Sequence, residues 1–160
     1  MAMGLQERKA VIRQHLSEAQ AGLDAALDRI GADGWAQTTR NEQWVVRDLL
    51  AHLATAESGF VRTLARMAAG EGGVPADFDI DRWNAAQLRR QNDSPWEHLR
   101  VTLLAAHGEM LALLDRLDDS ALNQRGKMSS GGEGSVEDTF RLVANHKRAH
   151  TVDIESARVR

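Results

Sequence analysis

The sequence predicts an all-α protein: a four-helix bundle with one extra short helix between the second and third long helices. Three observations carry that expectation. Apolar residues recur at three- and four-residue spacing along four long segments, the period of one helical face. The only prolines in 160 residues, Pro75 and Pro95, both fall between those segments. Amphipathic helices of this length bury their stripes only against one another, and a bundle is the economical solution. The length suits a single domain spanning residues 1–160.

The first helix is expected from about Leu5 to Ile30, with Ile12, Leu16, Ala19, Leu23, Ala26 and Ile30 on one stripe and Gly31 as the stop. A polar linker, Ala32 to Gln43, holds Trp35. The second helix opens within Trp44-Val45-Val46-Arg47-Asp48-Leu49-Leu50-Ala51-His52-Leu53 and runs to about Ala69. Its stripe reads Leu49, His52 or Leu53, Ala56, Phe60, Leu64 and Met67. Val45 is a poor N-cap, so this start depends on tertiary packing. Gly70 to Phe78 reads as a long flexible loop and Ile80 to Arg90 as the short helix. Ser94-Pro95-Trp96-Glu97 has the form of a capped start, serine as cap, proline in the first turn and Glu97 closing a capping box. The helix it opens carries Leu99, Leu103, Ala106, Met110, Leu113 or Leu114, and Leu117. Asp118 to Gly134 reads as loop, with a mobile composition from Met128 to Gly134. Ser135 and Asp138 then form a second capping box for a last helix reaching about Ala157.

Composition narrows the function. A formal net charge of −3 gives no general reason to expect nucleic acid, whose binders carry basic patches. With no cysteine, disulfides, thiolate ligands and a cysteine nucleophile are excluded. The N-terminus runs into charge at Glu7, Arg8 and Lys9, unlike a signal peptide. No window approaches the roughly 20 apolar residues of a membrane span. A cytoplasmic protein without nucleic-acid or membrane partners is expected.

The chemistry concentrates in the last helix. His146 and His150 are four residues apart, so their rings lie one above the other, and they share the stripe of Val136, Phe140, Val143 and Ile154. Two imidazoles so placed can bind one metal ion at about 2.0–2.1 Å. His52 lies on or beside the apolar stripe of the second helix and is the candidate third ligand. Three nitrogens leave a coordination position for water or substrate, the pattern of catalytic zinc sites, although imidazole suits several transition metals alike. Asp153, three residues after His150, shares its face and is a candidate to orient it or to serve as an extra ligand. The plain alternative is three buried histidines satisfied by carboxylates or carbonyls. Glu57 is expected in solvent, His15 at a surface or boundary and His98 exposed. His107 is read as a packing or boundary residue, and Trp44, Trp83 and Trp96 as core or helix-boundary residues. Arg47 and Asp48 are read as helix-surface residues.

Trp44-Val45-Val46-Arg47-Asp48-Leu49-Leu50-Ala51-His52-Leu53 resembles the W-[ST]-V-R-D-L-L-A-H-L stretch of the DinB/YfiT-like superfamily, particularly its branch of mycothiol-dependent maleylpyruvate isomerases. Asn145-His146-Lys147-Arg148-Ala149-His150 resembles the H-x-x-x-H of that superfamily's last long helix. The resemblance implies an up-up-down-down bundle, a divalent metal, often zinc or nickel, held by His52, His146 and His150, and a homodimer. It implies an enzyme acting on a small molecule, a transferase or isomerase using a low-molecular-weight thiol such as mycothiol or bacillithiol, or else a metal-assisted hydrolase. Val45 departs from the family's serine or threonine. The isomerases' further C-terminal domain has no counterpart here, which points away from maleylpyruvate isomerisation itself. The competing reading is a bundle that binds a metal or small ligand without turnover.

Overall fold

Local chemistry sets most of the helix boundaries. A computed structural model of the chain describes residues 3–157. It contains α1 (Leu5–Ile30), a 3₁₀ turn (Ala32–Gly34), α2 (Val46–Ala68), α3 (Ile80–Arg90), α4 (Trp96–Arg116), α5 (Asp119–Asn123), β1 (Arg125–Lys127), β2 (Glu133–Ser135) and α6 (Val136–Glu155). Gly31, at φ 64°, ends α1 by returning its N–H to Leu27 O. A valine side chain accepts nothing, so α2 is capped by other means. The Val45 N–H is taken by Asp48 Oδ2 at 3.3 Å, and the linker carbonyls of Gln37 and Trp35 accept from Val46 N and Arg47 N. The expected dependence on tertiary packing therefore has a specific form. At α6 the capping box is complete: Ser135 Oγ accepts from Asp138 N at 3.0 Å and Asp138 Oδ2 from Ser135 N at 2.9 Å.

Three local expectations are corrected. The N-cap of α4 is Pro95, and Ser94 Oγ instead donates to Gln91 Oε1 at 2.6 Å. The α3–α4 turn is held by Arg47, whose Nη2 donates to the carbonyls of Gln91, Asn92 and Ser94, so Arg47 does more than solvate a helix surface. Asp118 to Gly134 is not plain loop. Asp118 caps the five-residue α5, and β1 pairs antiparallel with β2, Gly126 opposite Gly134. Elements this short carry no readable period.

Side-chain contacts fix the direction of each long helix. Arg8 meets Glu137 and Gln20 meets Lys147, so α1 and α6 run parallel. Lys9 reaches Asp115 O while Arg100 meets Asp28, so α4 opposes α1. His52 faces His146 and Met67 touches Thr139, so α2 opposes α6; Arg47 at Ser94 and Glu57 beside His107 set α2 parallel to α4. The path is up-down-down-up rather than the expected up-up-down-down. The reason lies in the connections. The α1–α2 linker turns the chain around at one end, whereas residues 69–95 run back along α2, from Val74 beside Lys127, past Trp83 against Gly59, to Gln91 at Arg47.

The return segment is fitted rather than loose. A Cβ on Gly73 would stand 1.9 Å from Lys127 O, and Val74 N donates to that oxygen at 2.9 Å. The Gly70–Phe78 stretch thus packs on the hairpin instead of forming a free loop.

The buried apolar side chains form two clusters. Leu16, Leu64, Leu114 and Phe140 belong to one; Leu23, Leu49, Leu103 and Ile154 belong to the other. Each such side chain contributes about 1.5–3 kcal/mol by leaving water. Between the clusters, one residue from each long helix makes a polar layer: Gln20, Glu57, His107 and Lys147, all buried.

Candidate metal centre

Two helix periods bring the three predicted histidines together. His146 and His150 sit one turn apart on α6, and the opposed α2 carries His52 to meet them. One ring nitrogen from each lies within 4.8 Å of the other two, and His52 Nε2 stands 2.9 Å from His146 Nε2. Trp44 lies over His52 with ring centroids 4.7 Å apart, and Phe60 abuts His146 at 5.6 Å. His150 Nδ1 is 3.0 Å from Asp153 Oδ2, which leaves Nε2 for the cluster. Asp153 is held in turn by Arg40 Nε at 2.7 Å. The carboxylate thus sits where it can fix the His150 tautomer, one of the two places expected for it.

Burial sets the charge state. Desolvation, reinforced by the neighbouring histidines, pushes both His52 and His146 down to about 3, so both rings are neutral at pH 7. Neutral imidazoles offer lone pairs to a cation. Ligands about 2.0–2.1 Å from a tetrahedral zinc lie about 3.4 Å apart, a spacing within the range seen here. Among the described residues His52 Nδ1 is buried without a hydrogen-bond partner that would fix the ring's tautomer. On donor type, spacing and protonation, the three residues fit a divalent transition metal.

The cluster forms one end of a cleft of about 480 Å³. Its walls are α2, α6 and the return segment, with Trp44, Phe60, Phe78, Trp83 and Leu142 supplying apolar surface. Trp44 stands at the start of α2 against the core, as expected, and also lines the cleft; Trp83 lines the cleft, against expectation, and Trp96 is buried core. Ser129 and Ser130, at the hairpin turn, also line it.

Elsewhere the histidines separate as expected or in part. His98 is exposed, His15 is half-buried and contributes only its carbonyl to Arg148, and His107 is buried beside Glu57. Glu57 is a clear miss: it is 2 % exposed, not solvated. Its Oε1 accepts from Lys147 Nζ at 2.8 Å, and His107 Nδ1 stops 3.7 Å from the same oxygen, beyond hydrogen-bond range. Burial alone would raise the Glu57 carboxyl, but the facing His107 and Lys147 outweigh it and hold it below its usual range. Lys147, wholly buried and also bonded to Gln20 Oε1 at 2.8 Å, went unread. Its signal was present, since it stands four residues after Val143 and seven before Ile154, within the apolar stripe.

Comparison with known proteins agrees with this architecture. No curated protein matches the chain in sequence. Among solved structures, the mycothiol-dependent maleylpyruvate isomerase superposes with a TM-score of 0.76 at 15 % identity, covering 96 % of this chain and 62 % of that one. A mutant of the isomerase superposes with a TM-score of 0.77 at 14 % identity, over 97 % of this chain and 62 % of that one. This chain therefore spans less than two thirds of the isomerase. YfiT from Bacillus subtilis, described as a probable metal-dependent hydrolase with an unusual four-helix bundle topology, matches with a TM-score of 0.75 at 21 % identity, over 96 % of this chain and 86 % of that one. These likenesses establish the shared fold. The DinB superfamily model matches residues 15–154, which contain α2, α6 up to Ile154 and all three clustered histidines, and on that match the chain belongs to the DinB superfamily.

Proposed function

We propose that the protein is a metal-dependent enzyme in which His52, His146 and His150 hold a divalent transition metal, zinc or nickel, and that it joins a low-molecular-weight thiol to a small electrophile. The observation that carries this is the convergence of three ring nitrogens at one end of an apolar cleft. When bound there, such a metal lowers the pKa of a thiol or water and polarises an electrophile.

The chain's own residues do the rest. Asp153 keeps the proton of His150 on Nδ1, so that Nε2 faces the cluster. Trp44 covers one side of His52, and with Phe60 limits water near the rings. The apolar walls favour an electrophile with a hydrocarbon body. Hydrolysis by water in place of the thiol is the close variant, and YfiT's description supports it. A cytoplasmic homodimer completes the reading, with light scattering as the check on assembly.

A second reading, a module that binds a metal or small ligand without turnover, draws on one observation: among the described residues no Asp or Glu side chain lines the cleft to act as a general acid or base. One experiment separates the two. Wild type and His146→Ala are demetallated, reconstituted with zinc or nickel, analysed for metal, and assayed for thiol conjugation and for ester and amide hydrolysis. The enzyme reading expects about one equivalent of metal in wild type alone, with metal-dependent turnover. Metal uptake without turnover favours the binding module. Absence of metal from both proteins sinks the metal reading.

A further inference from the structure

The cleft carries a second recognition element that the histidines do not use. Arg62 and Arg66 lie four residues apart on α2, so their side chains stack on one helical face, and both line the cleft. Both are exposed, and among the described residues neither guanidinium meets a carboxylate; other arginines share that lack, but these two stand together on the cleft. With no acidic residue in its lining, the cleft has two fixed positive charges in a chain of formal net charge −3. Asn84 lines the same cleft with its Oδ1 buried and unbonded, an acceptor that calls for a donor on the ligand's body and not for its carboxylate.

The arrangement has a direction. Ten residues separate His52 from Arg62, about 15 Å of helix at 1.5 Å per residue. Phe60 and Gly59 lie between, and the Trp83 ring rests on Gly59, where a Cβ would meet it at 3.3 Å. Polar ends and an apolar middle match an elongated amphipathic molecule. Guanidinium pairs bind planar carboxylates through parallel N–H donors. Both arginines stand in the C-terminal half of α2, where the negative end of the dipole opposes any anion, and a phosphate dianion more than a singly charged carboxylate.

We propose that the cleft takes an amphipathic carboxylate, its anion clamped by Arg62 and Arg66, its apolar body beside Phe60 and Trp83, and its reacting group towards the histidines. The last clause rests on the metal-enzyme reading; the clamp does not.

The test uses 4-phenylbutyrate and its neutral amide, titrated into metal-free and zinc-loaded protein. Calorimetry and the fluorescence of Trp44 and Trp83 report binding. The acid should bind at least about tenfold more tightly than the amide in both forms. Arg62→Gln with Arg66→Gln should abolish that preference while leaving amide affinity and helical circular dichroism unchanged, and the double lysine variant should keep most of it. Equal affinities, binding of neither probe, or a preference surviving the double glutamine variant would overturn the clamp. So would a preference confined to zinc-loaded protein, which would place the carboxylate on the metal. Failure to take up zinc, with the acid preference intact, would remove the metal reading and leave the clamp standing.

Discussion

Two polar clusters meet where α2 faces α6, and they are built on opposite principles: the core layer draws one residue from each long helix, the histidine cluster from those two alone. His146 and Lys147 are neighbours in sequence, yet Lys147 turns into the core to meet Glu57 and Gln20, while His146 turns to the cleft to meet His52 and His150. In the core layer, donors and acceptors answer one another: an ammonium, a carboxylate and an amide oxygen within 2.8 Å. In the cleft, three groups of the same kind converge, and the chain offers Asp153 to only one of them. The ammonium and its two acceptors satisfy one another and tie α1, α2 and α6 together, while His107 Nδ1 stands beside them without a hydrogen bond. A set of like donors, with one carboxylate partner among the described residues, is the arrangement that the proposed metal would complete.

Breaking the core layer should have the largest effect. Glu57→Leu leaves the Lys147 charge buried and unpaired, with an expected loss of about 3–5 kcal/mol in urea unfolding. Adding Lys147→Met should recover most of it, since an apolar pair of similar volume replaces a buried ion pair at little cost. If the single variant unfolds no more easily than wild type, the layer is not what holds the register.

The histidine cluster should answer to metal instead. In zinc at about 1,000 times Kd, wild type should gain about 4 kcal/mol over its metal-free form, a gain that His146→Ala abolishes. Thermal melts with and without chelator read this directly, and an equal gain in the variant would place the metal elsewhere.

Acid sharpens the contrast, because the two clusters give way in different windows. His52 and His146 are lowered from about 6.5 to about 3, so the unfolded chain binds more protons between those values. Stability of the metal-free protein is therefore full above pH 6.5 and falls as pH drops through that window, by up to about 1.4 kcal/mol per pH unit for each histidine. Glu57 is also lowered, and its contribution persists until the pH falls below the ordinary carboxylate range. Urea midpoints at stepped pH should show His52→Asn reducing the slope by roughly half between about pH 6.5 and 4.5, with the His146 share remaining and the Glu57 loss adding to it only below that range. The smallest expected effect is at Gly59→Ala, where the new methyl meets Trp83 at 3.3 Å and narrows the cleft. Probe affinity should drop by a few-fold with unfolding nearly unchanged, a loss of about 1 kcal/mol or less.

Period was the legible signal, and its reach explains what the sequence revealed. The four long helices and the three histidines repeat over many turns, so their faces could be read from spacing alone. Glu57 and Lys147 stood in those same stripes, but a charged residue is ordinarily solvated, and only its partner on another helix shows otherwise. The hairpin at Arg125–Ser135 is two strands of three residues, too short for alternation to register. The serine before Pro95 had the chemistry of a cap and lost that role to geometry, its hydroxyl turned back to Gln91. Helix direction was invisible for a different reason: it is set by where the connections run, and residues 69–95 return along the bundle without any repeat to announce it.

That return has a consequence for how such a molecule can diversify. Two parallel helices in succession oblige the chain to travel the length of the bundle between them, and here the journey supplies Val74, Pro75, Phe78, Ile80, Trp83 and Asn84 to the cleft wall. None of these residues belongs to the apolar clusters or to the histidine set. The cleft-facing side chains of this segment can therefore vary with little effect on the two apolar clusters, while its fixed points, Gly73 and Val74 at Lys127, Leu88 on the core and the turn at Arg47, keep it in place.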